Sequence, residues 1–243
     1  MKRKTLLSWS SGKDSAWALH TLQQDFQIDV VGLFTVVNEL HDRVAMHATR
    51  SDLLRRQSDA LGLTLQVIHI PDPCSNEEYG AAMRSFVDNA RQDGIECMAF
   101  GDLFLKDIRD YREQQLKGTG LKPVFPIWNT GTDSLAKEMW ASGVEAYISC
   151  LDPRKIPKAL AGRRWSETLL GELPEDVDPC GENGEFHTVV VDGPMFRESI
   201  PVRIGETVER QGFVFTDIIP VDGRERRTSR IQVAAASARD CAC

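Results

Sequence analysis

The sequence predicts an α/β fold in which a parallel sheet is covered by helices on both faces, with a small mixed subdomain at the C-terminal side. Three observations predict it. Short apolar, β-branched runs alternate with amphipathic helical stripes from the N-terminus to about Cys150, and this alternation requires right-handed crossovers between parallel strands. Gly and Pro punctuate the ends of the runs. After Asp152 the rhythm breaks at Pro153, Pro157, Pro174 and Pro179.

Thr5 to Trp9 reads as the first strand. A helix follows from about Lys13 to Gln24, with Ala16, Trp17, Leu19 and Leu22 as its apolar stripe. Ile28 to Val37 is a long β-branched run and hence a buried strand; Ala48 to Leu61 is helical until Gly62 stops it. Thr64 to Ile70 is a third strand, ended by Pro71 and Pro73. A helix over Asn76 to Gln92, a short strand over Glu96 to Phe100 and a helix over Asp107 to Leu116 come next. The strand at Val124, the helix Ser134 to Trp140 and the strand Val144 to Cys150 complete the alternation. Beyond it lie a connector helix around Arg164 to Leu170 and two β-like runs, His187 to Val191 and Phe213 to Ile219. The expected division is therefore residues 1–151 as a nucleotide-binding domain, 152–221 as the C-terminal subdomain and 222–243 as a flexible tail.

The chain has 243 residues, enough to bury about three quarters of its unfolded surface. Its 29 basic and 36 acidic residues leave a net charge of −7, which disfavours a nucleic-acid partner bound through phosphate neutralisation. No run approaches the roughly 18 apolar residues that span a bilayer, so no membrane association and a cytoplasmic location are expected. The six cysteines lack C-x-x-C spacing, which argues for free thiols over a zinc site or a disulfide framework.

The junction Ser10-Ser11-Gly12-Lys13-Asp14-Ser15, directly after the first strand and opening the first helix, reads as a phosphate site. Backbone N–H groups and the positive end of a helix face an anion there. Gly12 permits close approach, Lys13 supplies a mobile charge, and Ser10 and Ser15 offer hydroxyls. Neither the Walker spacing nor G-x-G-x-x-G is present. Ligands of open α/β sheets sit beyond the carboxyl ends of the strands, which brings together Ser8 to Ser15, Phe34 to Asn38 and Gly101-Asp102.

Ser10 to Ser15 resembles the S-G-G-K-D-S loop of the PP-loop ATP pyrophosphatases, within the adenine nucleotide alpha hydrolase superfamily (HUP-like fold). Ser11 stands where the pattern has Gly, so either the turn avoids positive φ there or Ser11 is strained. Asp178-Pro179-Cys180-Gly181-Glu182-Asn183-Gly184-Glu185-Phe186-His187-Thr188 and Asp192-Gly193-Pro194-Met195-Phe196 resemble the C-terminal hallmark of the diphthine–ammonia ligase family. Gly101-Asp102-Leu103, Tyr111-Arg112-Glu113 and Phe125-Pro126-Ile127-Trp128 lie between, in that family's order.

The resemblance implies ATP as cofactor, with main chain near Leu7, Ser8 and Thr35 at the adenine, and Ser10, Ser11, Gly12, Lys13, Asp14, Ser15 and Gly101 around the phosphates. Asp14 faces polyphosphate favourably only across a cation, so Asp14 and Asp102 are the expected Mg²⁺ ligands; the alternative for Asp14 is a helix N-terminal carboxylate stabilised by the dipole. The implied chemistry is adenylation of a carboxylate, with pyrophosphate released, and displacement of AMP by ammonia. Lys13 and Asp102 would serve catalysis. Glu185 and His187, two apart at the start of a strand, would hold and deprotonate the ammonium, or else pin the returning segment to the sheet. His47, Arg112 and Glu182 are candidate substrate contacts. Arg109 and Arg50 are weaker candidates; His20 and His69 read as structural, and Trp128 and Phe186 as packing between subdomain and sheet. In the family the acceptor is a modified histidine of an elongation factor; here a small-molecule carboxylate is equally open. Two other classes stay in view: a tRNA-modifying thiolase or lysidine-type enzyme, for which Cys241 and Cys243 are the nearest approach to a cysteine pair, and a non-catalytic adenine-nucleotide-binding module.

Overall fold

The structure, a computed structural model, describes residues 1–38, 43–44 (backbone only), 49–71 and 73–222. His47, Asp72 and the segment 223–243, including Cys241 and Cys243, lie outside the described residues.

The first sheet is built on β1 (Arg3–Ser8), β2 (Ile28–Asn38), β4 (Thr64–Ile70), β5 (Cys97–Ala99) and β6 (Lys122–Val124), all parallel; β3 (Arg43–Val44) adds a two-residue antiparallel bridge to the end of β2. The strands lie in the order β6, β5, β1, β2, β4. The chain winds outward from β1 in one direction and then returns to wind outward in the other. The crevice between the carboxyl ends of β1 and β5 is therefore the topological switch point, where ligands of such sheets bind.

Successive side chains on a strand point to opposite faces. Leu7 packs with α1 (Lys13–Gln24), through Trp17, Leu19 and Leu22, while its neighbour Leu6 packs with α3 (Asn76–Gln92), through Phe86, Val87 and Ala90. The helix α2 (Ser51–Leu61) shares the face of α1, and Leu116 of α4 (Lys106–Leu116) that of α3. Their ends follow local chemistry. Gly62 closes α2 at φ 66°, a left-handed conformation that glycine adopts without a Cβ clash, and Ser75 with Glu78 forms a capping box at the start of α3.

The helix α5 (Thr132–Ala141) leads into a second, antiparallel sheet of β7 (Glu145–Leu151), β8 (Arg164–Trp165), β9 (Phe186–Asp192), β10 (Val202–Arg210) and β11 (Phe213–Pro220); the four-residue α6 (Glu167–Leu170) follows β8. Three expectations are corrected. The run over Val144 to Cys150 does not complete the parallel sheet, because β7 is the strand to which β8, β9 and β11 all pair; its burial on both faces gives the same apolar run in either kind of sheet. The expected connector helix begins with a strand, since Arg164 and Trp165 pair with Tyr147 and Ala146. The strand β10 escapes sequence reading because most of its residues are exposed and Gly205 interrupts it, as suits an edge strand. Core residues from both sheets form one continuous cluster, from Leu7 and Trp9 to Trp165, Phe186 and Val190.

Candidate active site

The loop between β1 and α1 is held from beneath by groups far away in sequence. Ser11 has φ 71° and is fully buried, so the second of the two expectations for this position holds and the residue is strained by about 1–2 kcal/mol. Its hydroxyl meets Thr49 Oγ1 at 2.6 Å, and its carbonyl accepts from Val190 N at 2.9 Å and from Gln57 Nε2 at 3.1 Å. Gln57 is itself fully buried: it accepts from the Trp9 indole N–H at 2.9 Å and donates to Val190 O at 2.7 Å. Lys13 N donates to Thr188 Oγ1 at 3.1 Å. Within the loop, Ser10 Oγ donates to Ser15 Oγ at 3.1 Å and Ser15 Oγ to Gly12 O at 2.9 Å. Gly12 is the N-cap of α1 and carries no capping side chain, and the first helical N–H, that of Lys13, is the one taken by Thr188.

Beside it, Gly101 follows β5 so closely that a Cβ would lie 3.0 Å from Asp14 O and from Ser15 N. On the other side of the crevice Ser8 ends β1 opposite Phe34, Trp9 N donates to Phe34 O at 2.7 Å, and buried Thr35 lies one residue further along β2. The residues expected around nucleotide, Ser8 to Ser15, Thr35 and Gly101, thus lie together at the carboxyl ends of β1, β2 and β5.

Lys13 is not the mobile charge that its position suggested. Its side chain is buried; Nζ donates to both Asp14 oxygens, at 3.0 and 2.9 Å, and to Cys180 O, and lies 5.6 Å from the Trp165 ring centroid and 5.5 Å from that of Phe186. Burial, the largest single effect, would depress its pKa, but the Asp14 carboxylate together with Cys180 and Asp178 outweighs it and raises the value. Burial also raises the pKa of Asp14, against the pull of Lys13.

The segment 178–188 returns over this loop. Glu182 Oε1 accepts from Leu103 N at 2.9 Å, and Asp178 Oδ2 accepts from Glu182 N at 2.7 Å. Burial pushes the Glu182 carboxyl up to about 7, with the charges of Asp14 and Asp102 adding to the effect. Asp102 is raised by burial against the pull of Arg112, whose Nε stands 3.7 Å from Asp102 Oδ2; neither atom makes a hydrogen bond. Glu185 is buried: Oε1 accepts from Asn183 Nδ2 at 3.2 Å and from Asp178 N at 3.4 Å, while Oε2 has no hydrogen-bond partner.

Burial, aided by the Lys13 charge, takes His187 down to about 4. The imidazole is therefore neutral at pH 7, which corrects the expectation of a proton relay near neutral pH. The group poised there is Glu182.

A family model for the diphthamide synthase N-terminal domain matches residues 2–123, and one for its C-terminal domain matches residues 131–220. The chain belongs to the diphthamide synthase family. Among its relatives are the diphthine–ammonia ligases of Rattus norvegicus, 27% identical over 73% of this chain and 68% of that protein, and of Homo sapiens, 26% identical over the same shares. The diphthine–ammonia ligase of Schizosaccharomyces pombe is 29% identical over 47% of this chain but only 20% of its own length. The expected resemblance is thereby borne out, and so is the fold class of the diphthamide synthase domains, a parallel sheet flanked by helices with a separate antiparallel sheet.

In this diphthamide synthase fold the other candidates divide. Arg112 reaches the site through Asp102, with its guanidinium over the Phe100 ring at 5.1 Å. Arg109 does not: it lies against both the Phe125 and Trp128 rings, 4.7 and 4.8 Å from their centroids, and is bonded to Glu113 at 2.8 Å. Trp128 therefore packs against Arg109 rather than against the second sheet, whereas Phe186 does sit between the two units, against Lys13. Arg50 is engaged by Asp217 on β11, its Nε 2.8 Å from Oδ1. His20 packs against Trp17 with the rings tilted; His69, between Ile68 and Ile70 on the outer strand β4, is exposed rather than buried. Cys74, Cys97, Cys150 and Cys180 are free thiols. Among the described residues no helix is long and apolar enough to cross a membrane.

For Mg²⁺ the donor set is lean. Both Asp14 oxygens are taken by Lys13, so that of the two expected ligands Asp102 is the one with a buried oxygen free of hydrogen bonds, as Glu185 Oε2 also is. Among the described residues no three His, Cys, Asp or Glu side chains are arranged to hold an ion by themselves. That suits a cation that takes one or two carboxylates and completes its shell with phosphate oxygens and water, as Mg²⁺ does. Sequence reading missed Gln57, Thr49, Thr188 and Trp165. The signal for Gln57 was a polar residue on the apolar stripe of α2, between Leu53, Leu54 and Leu61.

Proposed function

We propose that this ATP-dependent carbon–nitrogen ligase binds Mg·ATP in the crevice between β1 and β5, transfers AMP to a carboxylate with loss of pyrophosphate, and passes ammonia to the adenylate. Membership of the diphthamide synthase family supports the ligase class, and the diphthine–ammonia ligases among its relatives suggest the amide chemistry. The observation that carries the reading is the closure of segment 178–188 over the phosphate loop. It sets Glu182 near Asp14 at the start of α1 and near Asp102, with Glu182 fixed by the Leu103 amide.

In this reading the N–H groups at the start of α1 hold the phosphates, and Gly101 lets the β5 loop approach them. Asp102 holds the Mg²⁺, with Asp14 beside it; the ion, when bound, supplies positive charge against the developing pyrophosphate. Lys13 sets the orientation of Asp14 and opposes the upward pull of burial on its carboxyl group. Glu182, raised to about 7, takes a proton from ammonium and so frees the ammonia whose lone pair attacks the adenylate and displaces AMP, as a base matched to the working pH should. Glu185 holds the returning turn in shape through Asn183 and the Asp178 amide.

The test is product analysis. The protein with Mg·ATP, ammonium and a panel of carboxylic acids should release AMP and pyrophosphate in an acid-dependent manner, and Asp102→Asn should lower that turnover at least about a hundredfold. ADP as the sole product would overturn the proposal.

A further inference from the structure

A cleft of about 300 Å³ opens between α3 and α4 on the face of the sheet opposite α1. That volume is at the lower end for small-molecule sites. Its floor is apolar, made by Met83, Val87, Met98, Phe100 and Leu116. Its charged lining is biased: Arg84, Arg91, Arg112 and Lys117 stand against Asp88 alone, on a chain whose net charge is −7. Neither Arg84 nor Arg91 has an ion pair among the described residues, and the Arg112 Nε is buried without a hydrogen bond.

The cleft also reaches the crevice. Arg112 lies over the Phe100 ring in the cleft floor and faces Asp102 at 3.7 Å, and Gly101 between them abuts the backbone of Asp14 and Ser15. A guanidinium at the inner end of an apolar cleft, with its Nε free of hydrogen bonds and Asp102 as its ion-pair partner, is suited to a carboxylate with a hydrocarbon body. Resting on the ligase reading above, we propose that the α3–α4 cleft is the acceptor site and that the acceptor is a small carboxylic acid with an apolar or aromatic body, its carboxylate on Arg112. A nucleic acid or other polyanion would meet the repulsion of the whole chain, and the enclosed apolar floor favours a compact hydrocarbon body.

The probes are phenylacetate, 3-phenylpropionate and hexanoate, each paired with its neutral amide, titrated by ligand-observed NMR and calorimetry. The acids should bind the full-length protein in the millimolar range or tighter, and the amides at least about tenfold more weakly. Arg84→Gln/Arg91→Gln should weaken acid binding severalfold, and Met83→Trp, which fills the cleft, should abolish it; circular dichroism melts verify that each variant folds. Equal binding of acids and amides, no binding of any acid, or acid binding indifferent to both variants overturns the proposal. Mg·ATP binding and AMP release by the wild-type protein are measured separately. Acids bound in the cleft while ATP is neither bound nor split would sink the ligase reading and leave an anion site, whereas acid-stimulated AMP release that survives Met83→Trp unchanged would sink the cleft alone.

Discussion

At the scale of single residues, Ser11 sets two opposing terms against each other. Its left-handed backbone costs about 1–2 kcal/mol, while its hydroxyl satisfies buried Thr49, and orphaning such a group costs about 1–3 kcal/mol. Ser11→Gly relieves the first and incurs the second, so urea unfolding should place it within about 1 kcal/mol of the parent. Ser11→Ala keeps the strain and still orphans Thr49, so it should lose about 1–3 kcal/mol; equal stability of the two variants would contradict the strain. Glu182 and His187 give the pH dependence. The Glu182 carboxyl, raised to about 7 by burial, holds a proton in the folded state that it has lost in the unfolded one. Its contribution is therefore intact below the ordinary glutamate range and is lost as pH rises through 7. His187, lowered to about 4, has the opposite sign: its contribution is intact above the ordinary histidine range and is lost as pH falls toward 4. In chelator and without nucleotide, Glu182→Gln, which keeps an acceptor for Leu103 N, should match the parent's melting temperature near pH 5 and exceed it increasingly up to pH 8. A difference that does not change with pH would contradict the assignment.

At the scale of elements, the loop Ser10 to Ser15 depends on α2 as much as on α1. Gln57 fastens the indole of Trp9, the Ser11 carbonyl and the Val190 carbonyl to one buried amide. Gln57→Leu removes three bonds and leaves the Trp9 N–H without its acceptor; it should cost about 2–4 kcal/mol in urea unfolding and raise the Kd for Mg·ATP, because the carbonyl of strained Ser11 loses a donor. Unchanged nucleotide affinity would show that the loop holds its shape without α2. This dependence also explains what the sequence could tell. The motif Ser10 to Ser15 was legible because it is local: strand, turn and helix start are contiguous. The placement of Gly101-Asp102 followed from the topology of an open α/β sheet, whereas the bond from Leu103 N to Glu182 joins segments 79 residues apart and was not legible. The burial of Lys13 was not legible, because the rings that enclose it, Trp165 and Phe186, come from the second sheet. The membership of β7 was hidden for a related reason: a strand buried on both faces reads the same whichever sheet receives it.

At the scale of the whole molecule, the two sheets share one core, and the site exists only where they meet. Trp165, Phe186 and Val190 of the second sheet are buried in the same cluster as Leu7, Trp9 and Leu19 of the first. The charge of Lys13 is balanced within the first unit by Asp14 but is enclosed by the second. Without the second unit, the apolar surface of α1 and α2 turned toward β9 and β11 would face water. At about 25 cal/mol per Å² of apolar surface, exposing several such side chains is comparable to the whole stability of a domain, about 5–15 kcal/mol. Unfolding of the full chain should therefore be a single transition, with circular dichroism and tryptophan fluorescence tracing coincident urea curves. A fragment of residues 1–123 should show no cooperative transition and should not bind Mg·ATP. Two resolved transitions, or a fragment that folds and binds nucleotide, would mean that the phosphate loop is built by the first sheet alone and that the returning segment 178–188 serves the acceptor side only.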